Sequence, residues 1–149
     1  MSEILTKSAA RNIFYGGTAF FFIVFAGLVA HSVSTVNAMS ETHPVTPSVA
    51  AGKKVWERHA CIDCHTILGE GAYYAPELGN VWVRYGGRED AATAREGIKL
   101  WIKSQPTGVE GRRQMPHFDI SDAELDSLVD FFKWTSEINT QNWPPKVSG

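Results

Sequence analysis

The pentapeptide Cys61-Ile62-Asp63-Cys64-His65 contains both cysteines of this 149-residue chain, and its spacing is the one at which haem is covalently attached to proteins. Residues three apart on a helical turn share a face, so each cysteine can form a thioether with the same edge of a porphyrin. His65, four residues beyond Cys61, projects from that face, and its imidazole can reach the iron. The sequence therefore predicts one covalent haem c, held by Cys61 and Cys64, with His65 as an axial ligand.

Three other interpretations compete with haem attachment: a redox disulfide between Cys61 and Cys64, half of a zinc site, and a chance pattern. A thioredoxin-like centre requires a βαβ context, which the sequence lacks. A tetrahedral zinc site requires a fourth ligand, for which only His59 or another histidine is available. In a chain without further cysteines, haem attachment is the favoured interpretation.

The second axial ligand of the iron decides between electron transfer and the binding of a gas or substrate. Met115 is the only methionine of the globular part and lies in a glycine-containing loop fifty residues after His65. We predict that its thioether ligates the iron, which favours the reduced state and leaves no open coordination position. The alternatives are a core methionine that fills a gap and ligation by His117; His59 and His43 are less suited.

The pattern of apolar residues predicts a small all-α domain. Three helices are expected, at about 49–60, at 89–104, and from a capping box of Ser121 and Glu124 to about Ile138. The first should bury Val49, Val55 or Trp56, and Ala60; the second Ala94, Ile98, Trp101 and Ile102; the third Leu125, Leu128, Val129, Phe132 and Trp134. The glycine-containing stretches 66–88 and 107–120 are predicted to be ordered loops, and the proline-containing tail to be irregular.

A domain of about 100 residues has little core of its own, and a porphyrin would supply a wide apolar surface. Several aromatic side chains are therefore expected to line it: Trp56, Tyr73, Tyr74, Trp82, Trp101 and Phe118.

An uncharged apolar stretch precedes this domain. Ile13 to Val33 is as long, as a helix, as the hydrocarbon layer of a membrane is thick. Lys7 and Arg11 lie before it and no basic residue follows until Lys53, so the positive-inside rule places the N-terminus in the cytoplasm and the main domain outside. We predict a cytoplasmic segment at 1–12, a transmembrane helix at 13–36, a linker at 37–48 and a monohaem domain at 49–149. A cleavable signal peptide is the alternative.

Composition excludes other functions. With 14 basic and 16 acidic residues the net charge is −2, so the chain is not expected to bind nucleic acid through bulk charge. The sequence shows no nucleophile with its base, no phosphate-binding loop and no second metal cluster.

Two groups of charged residues lie in the predicted domain. Arg112 and Arg113, next to Met115, are candidates to pair with haem propionates or an acidic partner, or are a solvated pair. The last helix is rich in acidic residues. The preferred explanation is that acidic side chains are favourable near a helix N-terminus, and the second is that they steer a basic partner.

Three stretches of the chain together resemble a known family: the single apolar N-terminal helix, GKKVWERHACIDCHTILGEGAYYAPELGNVW at 52–82, and RQMPHFDISDAEL at 113–125. They resemble the small cytochrome c subunit of bacterial cytochrome c-dependent nitric oxide reductase, over essentially the whole chain. The Cys-x-x-Cys-His motif alone would indicate only a c-type cytochrome. The tract from Thr66 to Trp82 and the segment around Met115 are the distinctive part.

The resemblance implies a class I-like cytochrome c domain in the periplasm, carried by a single-pass helix in the bacterial inner membrane. Cys61 and Cys64 match the family's thioether positions, and His65 and Met115 its axial ligands. A large membrane subunit with haem b, haem b3 and non-haem iron would reduce NO to nitrous oxide. This chain would pass it electrons, through haem b, from a soluble cytochrome c or cupredoxin. The loop that includes Gly71 and Tyr73 matches a family region at the subunit interface near a bound calcium ion.

Two other functions stay open at this point. An anchored cytochrome c that donates electrons to a haem-copper oxidase would share every feature except the aromatic loop. A haem-based gas-binding protein would leave Met115 unligated. In each case the chain alone is expected to have no catalytic site.

Overall fold

A computed structural model describes residues 5–140 of the chain, with the side chains of all of them except 39–41. These residues form two units, which divide between Pro44 and Val45. The proline-containing tail, predicted to be irregular, lies outside the described residues.

The first unit is one helix, α1, at Lys7–Thr42. The Thr6 hydroxyl caps its first turn by accepting a hydrogen bond from Ala9 N at 3.2 Å. The helix is long and apolar enough to cross a membrane over Lys7–Ala38, and its most apolar window is not buried within the chain. A membrane would therefore cover side chains that the protein itself leaves exposed.

Helix α1 is longer than the predicted 13–36, and the linker predicted at 37–48 is wrong over residues 37–42. The residues from Asn37 to Thr42 are mostly polar, but none of them is a glycine or a proline, so nothing stops the helix. It ends just before His43, because a residue that precedes a proline is disfavoured in the helical region.

The second unit is predominantly helical, which confirms the all-α prediction. Its helices are α2 at Pro47–Arg58, α3 at Val81–Arg84, α4 at Ala91–Lys103 and α5 at Asp122–Glu137. The short helix α3 and a hairpin of two-residue strands, β1 at Thr66–Ile67 with β2 at Glu70–Gly71, interrupt a stretch predicted as loop. The hairpin forms because Leu68 and Gly69 both adopt positive φ, at 53° and 84°, which closes a two-residue turn.

The helix ends follow local capping chemistry. Helix α2 begins two residues before the predicted position, because Thr46 accepts a hydrogen bond from Val49 N and Pro47 occupies the first turn. The capping box of Ser121 and Glu124 at the start of α5 is confirmed. Ala60, predicted to be buried, is exposed: it lies beyond α2, where its φ of 50° turns the chain away.

Helices α2 and α5 pack against each other and form most of the core. On α5 the predicted stripe is confirmed, with Phe131 buried as well and Trp134 partly buried. On α4 the apolar face is confirmed except for Trp101, which is 45% exposed. The core side chains are Val49, Val55, Trp56, Val81, Trp82, Ala94, Ile98, Ile102, Leu125, Leu128, Val129, Phe131 and Phe132.

Gly52 allows the close approach of α2 to α5. A Cβ atom at this position would lie 1.9 Å from the carbonyl oxygen of Ser127 and 2.8 Å from the Cβ of Phe131. Since the first contact is with backbone, no side-chain rotation can relieve it.

We predict that Gly52→Ala destabilises the second unit by about 1–3 kcal/mol, the usual cost of overpacking a core. Thermal unfolding of the full chain in detergent micelles, followed by circular dichroism, measures the loss as a lower midpoint. Lys54→Ala, on the exposed face of the same helix, is the control and should leave the midpoint unchanged. Equal midpoints for Gly52→Ala and the unsubstituted chain would contradict the packing of α2 on α5.

Candidate functional site

The Cys-x-x-Cys-His motif follows α2 as a separate turn. After the left-handed Ala60, residues Cys61–Asp63 form a 3₁₀ turn, and His65 N donates to Cys61 O at 2.9 Å. The two thiols are half-buried and not joined to each other. The turn therefore brings Cys61, Cys64 and His65 together, as the spacing predicts, although not within the first helix itself.

The ring of His65 is held by a backbone carbonyl. Its Nδ1 lies 2.8 Å from the carbonyl oxygen of Pro76, and because that oxygen can only accept, Nδ1 carries the proton. The tautomer leaves the lone pair of Nε2 available to a metal ion. Burial lowers the pKa of His65 and outweighs the opposing effect of the bond to Pro76, so the imidazole is kept neutral, as a ligand must be.

The protonation of Cys61 argues against a redox disulfide. Burial raises the pKa of its thiol to about 11, whereas the attacking thiol of a redox-active Cys-x-x-Cys pair has a lowered pKa. Zinc is not favoured either, because no group of three or more His, Cys, Asp and Glu side chains within residues 5–140 is arranged to hold a metal ion. Of the competing interpretations, haem attachment is the one that this geometry supports.

The chain after His65 wraps back along the motif. Ala72 N donates to Ile62 O at 2.9 Å, Ala75 N to Cys64 O at 2.8 Å, and Leu78 N to Thr66 O at 2.8 Å. These three bonds tie the segment that carries the Pro76 carbonyl to the turn that carries the thiols.

Gly71 and Tyr73, the residues expected near a calcium ion, lie in this segment. A Cβ at Gly71 would stand 2.2 Å from the carbonyl oxygen of His65, so only glycine fits there, at a φ of 123°. The Tyr73 hydroxyl donates to Gly69 O at 3.2 Å, and its side chain is 75% exposed. Each residue thus has a structural role that needs no metal, and the calcium site stays a prediction.

Met115 is half-buried and packs against the same core as Cys61. Among the rival histidines, His117 is exposed whereas Met115 is half-buried, and the His59 ring meets that of Phe118 at 5.4 Å, edge to face. This arrangement favours Met115 as the second ligand.

The loop of Met115 is fastened to the segment after His65 by Arg113. Its guanidinium donates to the carbonyl oxygen of Tyr74 and lies 4.8 Å from the centre of the Tyr74 ring. The sequence leaves haem propionates, an acidic partner and a solvated pair open for this arginine, and it holds no signal for a contact with an aromatic residue 39 positions earlier.

The acidic side chains of α5 are paired within the second unit. Asp122 pairs with Lys103, Glu124 with Arg58, Asp126 with Lys99 and Asp130 with Arg95. Hydrogen bonds from the Ser121 hydroxyl and from Arg58 lower the pKa of Glu124 to about 2. These pairs give the acidic helix a structural explanation, because they join α5 to α2 and α4.

The aromatic residues expected around a haem fall into two groups. Trp56 and Trp82 are buried in the core, and the Trp56 ring lies 6.4 Å from that of His65. Tyr73, Tyr74 and Trp101 are exposed, and Phe118 is half-buried.

The residues present fit a covalently attached haem. Both thiols are accessible on one turn, the imidazole presents Nε2, and a methionine and an indole ring border the same core. When bound, the haem would be held by Cys61 and Cys64 and ligated by His65 and Met115.

Comparisons with known proteins agree with this geometry. A family model described as cytochrome c matches residues 49–136. The chain is 57% identical to a nitric oxide reductase subunit of Paracoccus denitrificans and 55% identical to one of Halomonas halodenitrificans, in both cases over 100% of each chain. A more distant match is cytochrome c oxidase subunit 2 of Alkalihalophilus pseudofirmus, 26% identical over 55% of this chain and 24% of that protein.

We predict that Arg113→Ala loosens the loop of Met115, because both contacts with Tyr74 are lost. Carbon monoxide should then bind to the reduced haem protein about fivefold faster, the factor that corresponds to about 1 kcal/mol. Stopped-flow absorbance measures this rate. Arg112→Ala, the exposed neighbour, is the matched control; if the two variants bind the gas equally fast, Arg113 does not hold the loop.

Proposed function

The chain belongs to the family of cytochrome c subunits of nitric oxide reductase, and from this premise we propose that it transfers electrons from a soluble periplasmic cytochrome c or cupredoxin to haem b of a catalytic subunit. Its membership makes it the electron-transfer subunit of a nitric oxide reductase, which is an oxidoreductase complex with a catalytic membrane subunit. Covalent haem c is implied by the same domain.

The observation that supports the proposal most directly is the bond from His65 Nδ1 to Pro76 O. It holds the imidazole in one tautomer with Nε2 presented as a ligand, while burial, which lowers the pKa of His65, keeps the ring neutral. Haem c, when bound, supplies a one-electron redox centre. With Met115 as its second protein ligand the iron would have no position for NO, so this chain would transfer electrons and would not bind the substrate.

NO reduction then belongs to the partner. The described residues hold no cluster of side chains for a second metal ion, whereas the reduction of two NO molecules to nitrous oxide requires a site that binds both. We assign haem b, haem b3 and a non-haem iron to the catalytic partner. The calcium ion near Gly71 and Tyr73 is assigned to the interface between that partner and this chain.

Helix α1 is the proposed anchor in the inner membrane. Lys7 and Arg11 at its N-terminal end support a cytoplasmic N-terminus and a periplasmic haem domain. A single pass of this kind keeps the haem domain next to its membrane partner while soluble donors reach it from the periplasm.

Purification of the intact membrane complex tests the function. We expect the complex to consume NO when a reduced soluble cytochrome c is supplied, and its metal content to include non-haem iron and no copper. A copper-containing partner that reduces oxygen would instead identify the chain as an oxidase donor. The match to an oxidase subunit covers only 24% of that protein, and it supports no more than a shared cytochrome c domain.

We predict that Met115→Ala lowers the reduction potential of haem c and opens its sixth coordination position, because the thioether stabilises the reduced iron. Spectroelectrochemical titration measures the potential, and the reduced spectrum with carbon monoxide shows the open position.

His117→Ala is the matched control, two residues away in the same loop, and it should bind carbon monoxide no faster than the unsubstituted protein. An unchanged potential in Met115→Ala would show that another residue is the ligand. Ready carbon monoxide binding by the unsubstituted protein would favour the gas-binding function over electron transfer.

A further inference from the structure

Glu77 is a charged residue in an unusual place. It is only 7% exposed, whereas glutamate is rarely buried unless it is paired. Its Oε1 accepts hydrogen bonds from two backbone amides, Leu68 N at 2.9 Å and Gly79 N at 2.7 Å. The carboxylate therefore acts as a bridge within the segment that follows the haem-binding motif.

The two amides belong to different parts of that segment. Leu68 lies in the turn of the hairpin that begins just after His65, and Gly79 precedes α3. A Cβ atom at Gly79 would stand 2.7 Å from Glu77 Oε1, so the glycine leaves room for the carboxylate. Glu77 thus joins the two ends of the loop, and Pro76, whose carbonyl holds His65, is the residue next to it.

The burial of this carboxylate has an energetic cost that the two amide bonds do not remove. Its second oxygen, Oε2, is buried without a hydrogen-bond partner in the part of the chain that the structure describes. An electrostatic interaction with Arg84 offsets part of the cost. A neutral loop residue would avoid this cost, so the presence of a glutamate calls for a gain elsewhere.

We propose that Glu77 is a positioning residue for His65: by bridging Leu68 N and Gly79 N it fixes the Pro76 carbonyl, and through that carbonyl the direction of the imidazole that binds the haem iron. The proposal rests on the proposed function in one respect, that His65 ligates haem c. Glu77 itself touches neither the haem nor a substrate in this role. Hydrogen bonds to metal-binding histidines set both ring orientation and ligand basicity, so the loop would control the properties of the bound iron.

Two conservative variants separate positioning from charge. Glu77→Gln keeps a carbonyl oxygen at the end of the same side chain and can still accept from both amides, but it is neutral. Glu77→Asp keeps the charge but is one methylene shorter, so it cannot reach both amides. If Glu77 acts by positioning, the glutamine variant should behave like the unsubstituted protein and the aspartate variant should not.

The measurement is made on the full chain with its haem attached, in detergent micelles. Proton NMR follows the exchange of the His65 Nδ1 proton with water, and mass spectrometry follows amide hydrogen exchange at Leu68 and Gly79. In Glu77→Asp we expect all three protons to exchange at least about fivefold faster, the factor for about 1 kcal/mol, which is the typical net worth of a hydrogen bond. In Glu77→Gln the rates should stay within about twofold of the original, since both amide bonds remain.

Glu124→Asp is the control for a purely structural effect, since Glu124 also accepts a backbone amide bond, in the capping box of α5. It should lower the unfolding midpoint and leave the exchange of the His65 proton unchanged. The proposal is overturned if the control accelerates that exchange as much as Glu77→Asp does, if Glu77→Asp leaves it unchanged, or if Glu77→Gln accelerates it equally. Absence of covalent haem from the unsubstituted protein would instead refute the proposed function.

Discussion

The hydrogen bond from the His65 ring to the Pro76 carbonyl is the constraint on which the site depends. The five-residue motif places two thiols and an imidazole on one turn, but it leaves the ring free to rotate. The orientation comes from a carbonyl eleven residues away. This carbonyl is kept in place because the intervening chain folds back along the motif through bonds such as Ala75 N to Cys64 O, and because Gly71 lets it approach the backbone of His65. The His65 ring is thus oriented by a loop, and the loop is held by backbone hydrogen bonds and by the Glu77 side chain.

The position of that loop depends in turn on the packing of α2 against α5. Trp56, on the face of α2 that contacts α5, lies within 6.4 Å of both the His65 ring and the Phe131 ring. Helix α2 also ends directly before the motif, so any movement of the helix moves the thiols. The contact through Gly52 is close enough to fix the distance between the two helices. The rigidity that an electron-transfer site requires is therefore provided first by the hydrophobic core and then by the loop that contacts the His65 ring.

The features that can be predicted from the sequence are those that local chemistry decides. The Ser121–Glu124 capping box and the buried stripe of α5 are each set within a few turns of one helix, and both predictions are confirmed. The contacts of Glu77 and Arg113 escape prediction because they join residues whose proximity depends on the folded loop, and neither leaves a periodic or compositional signal. The predicted end of α1 is wrong for another reason. The polar residues after the apolar stretch predict a linker. They are nevertheless compatible with a helix, and α1 ends only where the chain comes to Pro44.

The charged residues of the second unit also fall into two groups, those with a structural role and those that a partner protein could contact. The acidic side chains of α5 face basic ones on neighbouring helices: Glu124 with Arg58, Asp126 with Lys99, and Asp130 with Arg95. A surface whose charges already face opposite charges exerts a weak field on an approaching protein, since the field of each pair falls off faster than that of a single ion. We therefore do not expect the charges of α5 to steer an electron donor.

The segment after His65 and the loop of Met115 offer a surface better suited to a protein partner. Tyr73 and Tyr74 are exposed there, and Arg113 lies beside Tyr74. Aromatic side chains and arginine are the residues that protein interfaces favour, because they bury a large area and still offer a polar group at the rim. The loops beside the two proposed iron ligands thus also carry a surface suited to a protein partner.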